Sequence, residues 1–205
     1  MTPAGTAAGA DVRAVTRTPA QTQRDFRVLV GALARPGTVG RLDAPPGAPA
    51  VTVPVAGLAD VEVPLGVWAR PGDERWVSAL YAATGAPYAE PAAARMVLAL
   101  RPPGPDELRA LPRGDALHPE HGARLVAAVR ALRTAGEPGD VVLTLRGPGV
   151  ADTATLAVAG LDAEVFRALH EINDGYPAGV DTFLVAADGA VAGLPRTTRI
   201  EMGER

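Results

Sequence analysis

Cysteine is missing from all 205 residues, so neither a disulfide framework nor a thiolate metal site holds this chain together. Lysine is missing too, and all 20 basic residues are arginines. A Schiff base needs a primary amine that can lose its proton, so side-chain aldimine chemistry is excluded. Serine occurs once, at Ser78, inside a predicted helix rather than at a strand-to-helix elbow, which argues against a serine nucleophile. No run approaches the roughly 18 apolar residues of a membrane helix. The segment Met1–Ala14 has no apolar stretch of the kind that marks a secretory signal. A net charge of −3 gives no basic face for a nucleic-acid backbone. These absences together lead us to expect a soluble, cytoplasmic protein.

What is present suits one domain. A chain of this length should bury about 70% of its unfolded surface. With 47% hydrophobic residues, a sizeable core needs no metal or disulfide. Residues 1–17 read as a loose tail, and 18–205 as the domain. Thr18 and Pro19 can start a helix, along which Phe26, Leu29, Val30 and Leu33 recur at helical spacing until Pro36 ends it. Arg24, Arg27, Gly31 and Arg35 form a stripe on another side of the same helix.

Helices are predicted over 51–58, 74–84, 106–111 and from a cap at Asp162 to about Asn173. Strands are predicted over 62–68, 96–100, 125–129, 141–145 and 153–158. A final hairpin, 183–187 with 190–194, turns at Asp188-Gly189. Strands and helices interleave, with hairpins near the end, so the expected class is α/β with a mixed sheet flanked by helices.

Several groupings invite a chemical reading. His118-Pro119-Glu120-His121 has metal-ligand residue types, but Pro119 and Gly122 make it a loop without helical ligand spacing, so no metal is expected. Gly147-Pro148-Gly149 leads into an alternating stretch and not a helix, so a hairpin turn is favoured over a phosphate cradle. His170 lies four residues before Asp174, the spacing of a helix-end charge pair. Asp60 and Glu62, two apart at a strand start, read as a solvated edge.

The C-terminal part is the most distinctive. Tyr176-Pro177-Ala178-Gly179-Val180-Asp181 and Leu194-Pro195-Arg196-Thr197-Thr198-Arg199-Ile200-Glu201 bracket an apolar run with two proline-led turns. Further blocks are Phe26-Arg27-Val28-Leu29-Val30 with Arg35-Pro36-Gly37, then Leu58-Ala59-Asp60-Val61-Glu62 and Thr84-Gly85-Ala86-Pro87. Pro119-Glu120-x-Gly122-Ala123-x-Leu125 and Arg146-Gly147-Pro148-Gly149-Val150 complete the series. In this order the blocks resemble the PhnH family, a subunit of the bacterial carbon–phosphorus lyase core complex. Val61, Val63 and Arg146 depart from residues common there.

The resemblance implies a fold like that of the pyridoxal-phosphate-dependent transferases, here without the cofactor because no lysine can hold it. It implies other carbon–phosphorus lyase subunits as partners, and self-association as a homodimer. The implied role is support of a reaction in which a phosphonate replaces the adenine of MgATP at the ribose C1, with the chemistry assigned to another subunit. Arg27, Arg35, Arg146, Asp181, Arg196, Thr197 and Thr198 fall in the matching blocks, and Arg199 lies beside them. Arginine forks suit phosphate and carboxylate oxygens and also serve interfaces, so these residues are the binding or interface candidates. Two rival readings stay open: a phosphonate or nucleotide binding module built on the arginines, and a stand-alone transferase or hydrolase.

Overall fold

The computed structural model of the chain describes residues 4–202, and side chains from residue 9 onward. Residues 1–3 of the expected tail and 203–205 of the expected domain lie outside the described residues. Most of the expected tail is instead helix α1 (Ala4–Val15). Its alanines favour helix, and Val15 closes into the core. Arg17 follows, its side chain only 3% exposed and ion-paired at 2.8 Å with Asp25, itself 4% exposed. A buried pair of this kind fixes the segment to the body of the protein.

Helix α2 (Pro19–Ala34) starts where its cap residues direct. The Thr18 hydroxyl accepts from the Gln21 backbone N–H, and the Gln21 side chain accepts from Thr18 N at 2.9 Å. Its buried face differs from the expected one: Asp25, Leu29 and Ala32 point inward, while Phe26 and Val30 are exposed. The reason is steric. Ala32 meets the backbone of Gly193, where an added Cβ would come within 2.7 Å of Ala32. The helix seats on a small residue, which turns Phe26 and Val30 outward.

The remaining elements are β1 (Gly40–Arg41), α3 (Thr52–Leu58), β2 (Leu65–Trp68), α4 (Glu74–Thr84), β3 (Met96–Ala99), α5 (Pro105–Arg109) and β4 (Arg124–Val129). Then come β5 (Ala131–Arg133), β6 (Val141–Arg146), β7 (Ala154–Ala159), α6 (Ala163–Asn173), β8 (Asp181–Ala186), β9 (Ala190–Leu194) and β10 (Arg199–Met202). The chain is a single mixed α/β domain, but its strands form two sheets and not one. A six-stranded sheet runs β1-β9-β8-β4-β3-β2, and a four-stranded sheet runs β10-β6-β7-β5. In the larger sheet β2, β3, β4 and β8 are parallel, β9 pairs antiparallel with β8, and the edge strand β1 pairs antiparallel with β9.

Parallel strands need cover on both faces, and β3 is buried at every position. Met96 and Leu98 face a core shared with Leu29, Val53, Trp76 and Leu80 from α2, α3 and α4. Val97 and Ala99 face a second core, with Phe166 and Leu169 of α6 and Leu143, Leu145, Leu156 and Val158 of the smaller sheet. Strand β6 alternates in burial, the mark of a sheet with one wet face. That separates the 141–159 hairpin from the parallel sheet. Asp60 and Glu62 lie in a turn, not at a strand start, and the Asp60 side chain accepts from Glu62 N at 2.8 Å.

Candidate functional site

Three distant segments meet at Arg196. Strand β9 ends at Leu194, and a turn closed by Thr198 N donating to Pro195 O at 2.8 Å carries the chain toward β10. Asp181, the first residue of β8, accepts from the Arg196 backbone N at 2.9 Å and from Nη2 at 2.8 Å. The other arm of the guanidinium, Nη1, donates to Pro119 O at 2.7 Å and Pro177 O at 3.3 Å. Both side chains are largely buried. Arg196, a binding or interface candidate from the sequence, is therefore not a free fork: its donors bind the fold's own oxygens, and Asp181 neutralises its charge.

Beside this hub lies a cavity of about 440 Å³. The β6–β7 turn residues Gly147 and Pro148 form one wall, confirming the hairpin reading of that glycine pair. The end of α6 supplies His170, Asn173 and Asp174, and Tyr176, Arg196, Thr197, Thr198 and Arg199 complete the lining. Asn173 is fully engaged: it donates to Val180 O and accepts from Val180 N at 2.7 Å. His170 and Asp174, expected as a charge pair, form no ion pair among the described residues, and both face the cavity instead.

Two features of this cavity are chemically unfinished. The Thr198 side chain is buried and its hydroxyl has no hydrogen-bond partner among the described residues. Arg199 is exposed, without an ion pair among the described residues, and sits directly opposite Arg146 in the β10–β6 register. Like charges placed across a strand pair repel. Arg146 is relieved only loosely, with Asp152 at 3.8 Å and Glu201 at 3.6 Å. Of the two, Arg199 lines the cavity and Arg146 does not, so Arg199 is the group that would meet an anion held there.

Of the sequence candidates, Arg146, Asp181, Arg196, Thr197 and Thr198 therefore gather at one end of the molecule. Arg27 and Arg35 do not join them: both are exposed on α2, and Arg35 lines a separate depression with Thr38 and Arg41. Sequence reasoning missed His170 and Tyr176 as cavity residues, since only the tertiary fold brings the α6 end against the β10 turn.

The segment His118–His121 is also more organised than its loop reading implied. A turn of 3₁₀ helix at Pro119–His121 stacks the two imidazoles with centroids 4.9 Å apart. The ligand atoms of His118, Glu120 and His121 lie within 4.8 Å of one another, all on exposed side chains. The Glu120 carboxyl is held below its ordinary range, chiefly by its own backbone N–H and then by His118, whose Nδ1 is 3.1 Å away.

Comparison with known proteins places these features in a lineage. The family model described as bacterial phosphonate metabolism protein (PhnH) matches residues 14–201. The alpha-D-ribose 1-methylphosphonate 5-triphosphate synthase subunit PhnH of Rhizobium meliloti (strain 1021) is 32% identical over 194 residues, 88% of this chain and 90% of that protein. HtxG of Stutzerimonas stutzeri, provisionally named a C-P lyase subunit protein, is 40% identical over 96 residues, 46% of each chain.

Proposed function

The chain belongs to the PhnH family of bacterial phosphonate metabolism proteins, and on that premise we propose that it is an accessory subunit of the carbon–phosphorus lyase system. Its role is to support transfer of the ribose triphosphate of ATP to an alkylphosphonate, within a ribose 1-methylphosphonate 5-triphosphate synthase complex. The observation that carries this reading is likeness to a subunit of that synthase over nearly the whole length of both chains.

The chemistry of the residues agrees with a supporting part. There is no lysine or cysteine. Ser78 is exposed on α4, away from any strand-to-helix elbow. The largely buried arginine beside the cavity, Arg196, is used to tie the fold together. The same reading makes the protein a cytoplasmic homodimer outside its complex, with a fold akin to pyridoxal-phosphate-dependent transferases but no cofactor. Its partners are the other core subunits. Affinity purification of the tagged chain from cells expressing the other subunits tests the assignment. Stoichiometric recovery of those subunits supports it, and recovery of the chain alone counts against it.

A second reading is favoured by one observation, the unpaired Arg199 facing Arg146 beside the unsatisfied Thr198 hydroxyl. On that reading the cavity holds an anionic metabolite such as a nucleotide or phosphonate. Titration with ATP, compared between wild type and Arg199→Ala, separates a ligand-binding subunit from a purely architectural one.

A further inference from the structure

We propose that a second site, for a single tetrahedral oxyanion of the phosphate and phosphonate class, lies at the N-terminal edge of the parallel sheet and is held by Arg124 and Arg95. Arg124 opens β4 and Arg95 immediately precedes β3. The two are tied by Arg124 N donating to Arg95 O at 2.8 Å. Register places Arg124 next to Asp181 on β8, yet the Asp181 carboxylate is already taken by Arg196 through both oxygens. Arg124 is left without an ion pair among the described residues, and its Nε is buried with no hydrogen-bond partner. A buried cationic N–H with nothing to donate to is costly and uncommon. A guanidinium fork matches two oxygens of a phosphorus oxyanion.

The space fits that ligand. Both arginines line a cavity of about 100 Å³, completed by Val63, Glu120 and Gly122. This falls below the roughly 300–1,000 Å³ typical of pockets for drug-sized molecules, so a nucleoside is too large for it. Gly122 also packs closely on the side away from the cavity, where a Cβ would come within 2.4 Å of Gly179 O and 3.0 Å of Arg196 Nη1. Arg95 spends one Nη on Glu62 O and is otherwise exposed, which leaves donors for a ligand. Glu120 is the opposing charge. Its carboxylate is engaged by His118, and the two arginines against it leave the cavity net positive.

The inference concerns the isolated chain and does not depend on assembly with other subunits, so its failure leaves the subunit assignment standing. Isothermal titration of the full chain with inorganic phosphate, methylphosphonate and ATP is the test, on wild type and on Arg124→Gln, Arg95→Gln and Glu120→Gln. Phosphate and methylphosphonate should both bind wild type. Each of the two sheet-edge arginine changes should weaken them about tenfold or more, the loss expected for a charge-assisted bond. Glu120→Gln should tighten binding. A preference for methylphosphonate assigns the site to a phosphonate, and a preference for phosphate assigns it to the free ion. If Arg124→Gln does not fold, Arg95→Gln decides, since its side chain is exposed. Absence of phosphate and methylphosphonate binding, or binding unaffected by the foldable arginine changes, would overturn the proposal. So would binding lost on Glu120→Gln, which would mark Arg124 and Glu120 as a structural ion pair.

Discussion

At the scale of the residue, neighbouring arginines do opposite jobs. Arg196 joins β8, the 119–121 turn and the Pro177 turn through its backbone N–H and its guanidinium, while Arg199, three residues on, has no ion pair among the described residues. Arg196→Ala would orphan the Asp181 carboxylate in a mostly buried setting, a loss of about 3–5 kcal/mol. In a domain of this size that lowers Tm by roughly 10 °C. Arg199→Ala should leave Tm within a degree or two, because nothing structural depends on it; paired thermal melts check both. The Arg196 turn itself was legible from Pro195 and the two threonines. Its partners were not, since Pro119 is 77 residues away and only the closed fold brings its carbonyl within reach.

Tyr81 gives a pH signature at the same scale. Burial pushes its phenol up to about 12, and the hydroxyl donates to Leu65 O at 2.7 Å. A raised pKa means that the fold favours the neutral phenol. That contribution is complete below the ordinary phenol pKa and disappears as pH climbs through about 12. A tyrosinate absorbance titration should show a late step near 12 that Tyr81→Phe removes. If every tyrosine ionises together in the native protein, Tyr81 is not buried as described.

At the scale of the element, local signals were read well wherever they were self-contained. The Thr18-Pro19 helix start, the Asp188-Gly189 hairpin and the α6 span follow from neighbours in sequence. What the sequence concealed depends on remote contacts. The buried face of α2 is set by Gly193, and β10 is a four-residue edge strand whose Arg199 and Glu201 look like loop residues until β6 pairs with them. The α2–β9 contact makes a direct prediction. Gly193→Ala places a methyl within 2.7 Å of the Ala32 backbone, so helix and strand must separate. The cost should be about 1–3 kcal/mol, the range for overpacking a close contact. Chemical denaturation should show an earlier midpoint with an unchanged slope, and a wild-type midpoint would mean that α2 does not seat on Gly193.

At the scale of the whole molecule, two cores on opposite faces of one sheet make a self-sufficient domain, yet its surface is not inert. Phe26 and Val30 stand outward one helical turn apart, 52% and 48% exposed, on the helix that also bears Arg27 and Arg35. Apolar residues beside arginines resemble the composition of protein interfaces. Sedimentation at micromolar concentration should therefore show self-association that Phe26→Glu weakens, and a strict monomer in both proteins would remove α2 as a docking face. The central claim is that this chain supports a multi-subunit synthase without performing its chemistry. Adenine release from MgATP and methylphosphonate tests it most directly, measured for the chain alone, for the remaining subunits alone, and for all together. Our account predicts no release by the chain alone and a clear gain in yield or complex stability when it joins the others; adenine released in proportion to the purified chain by itself would contradict it.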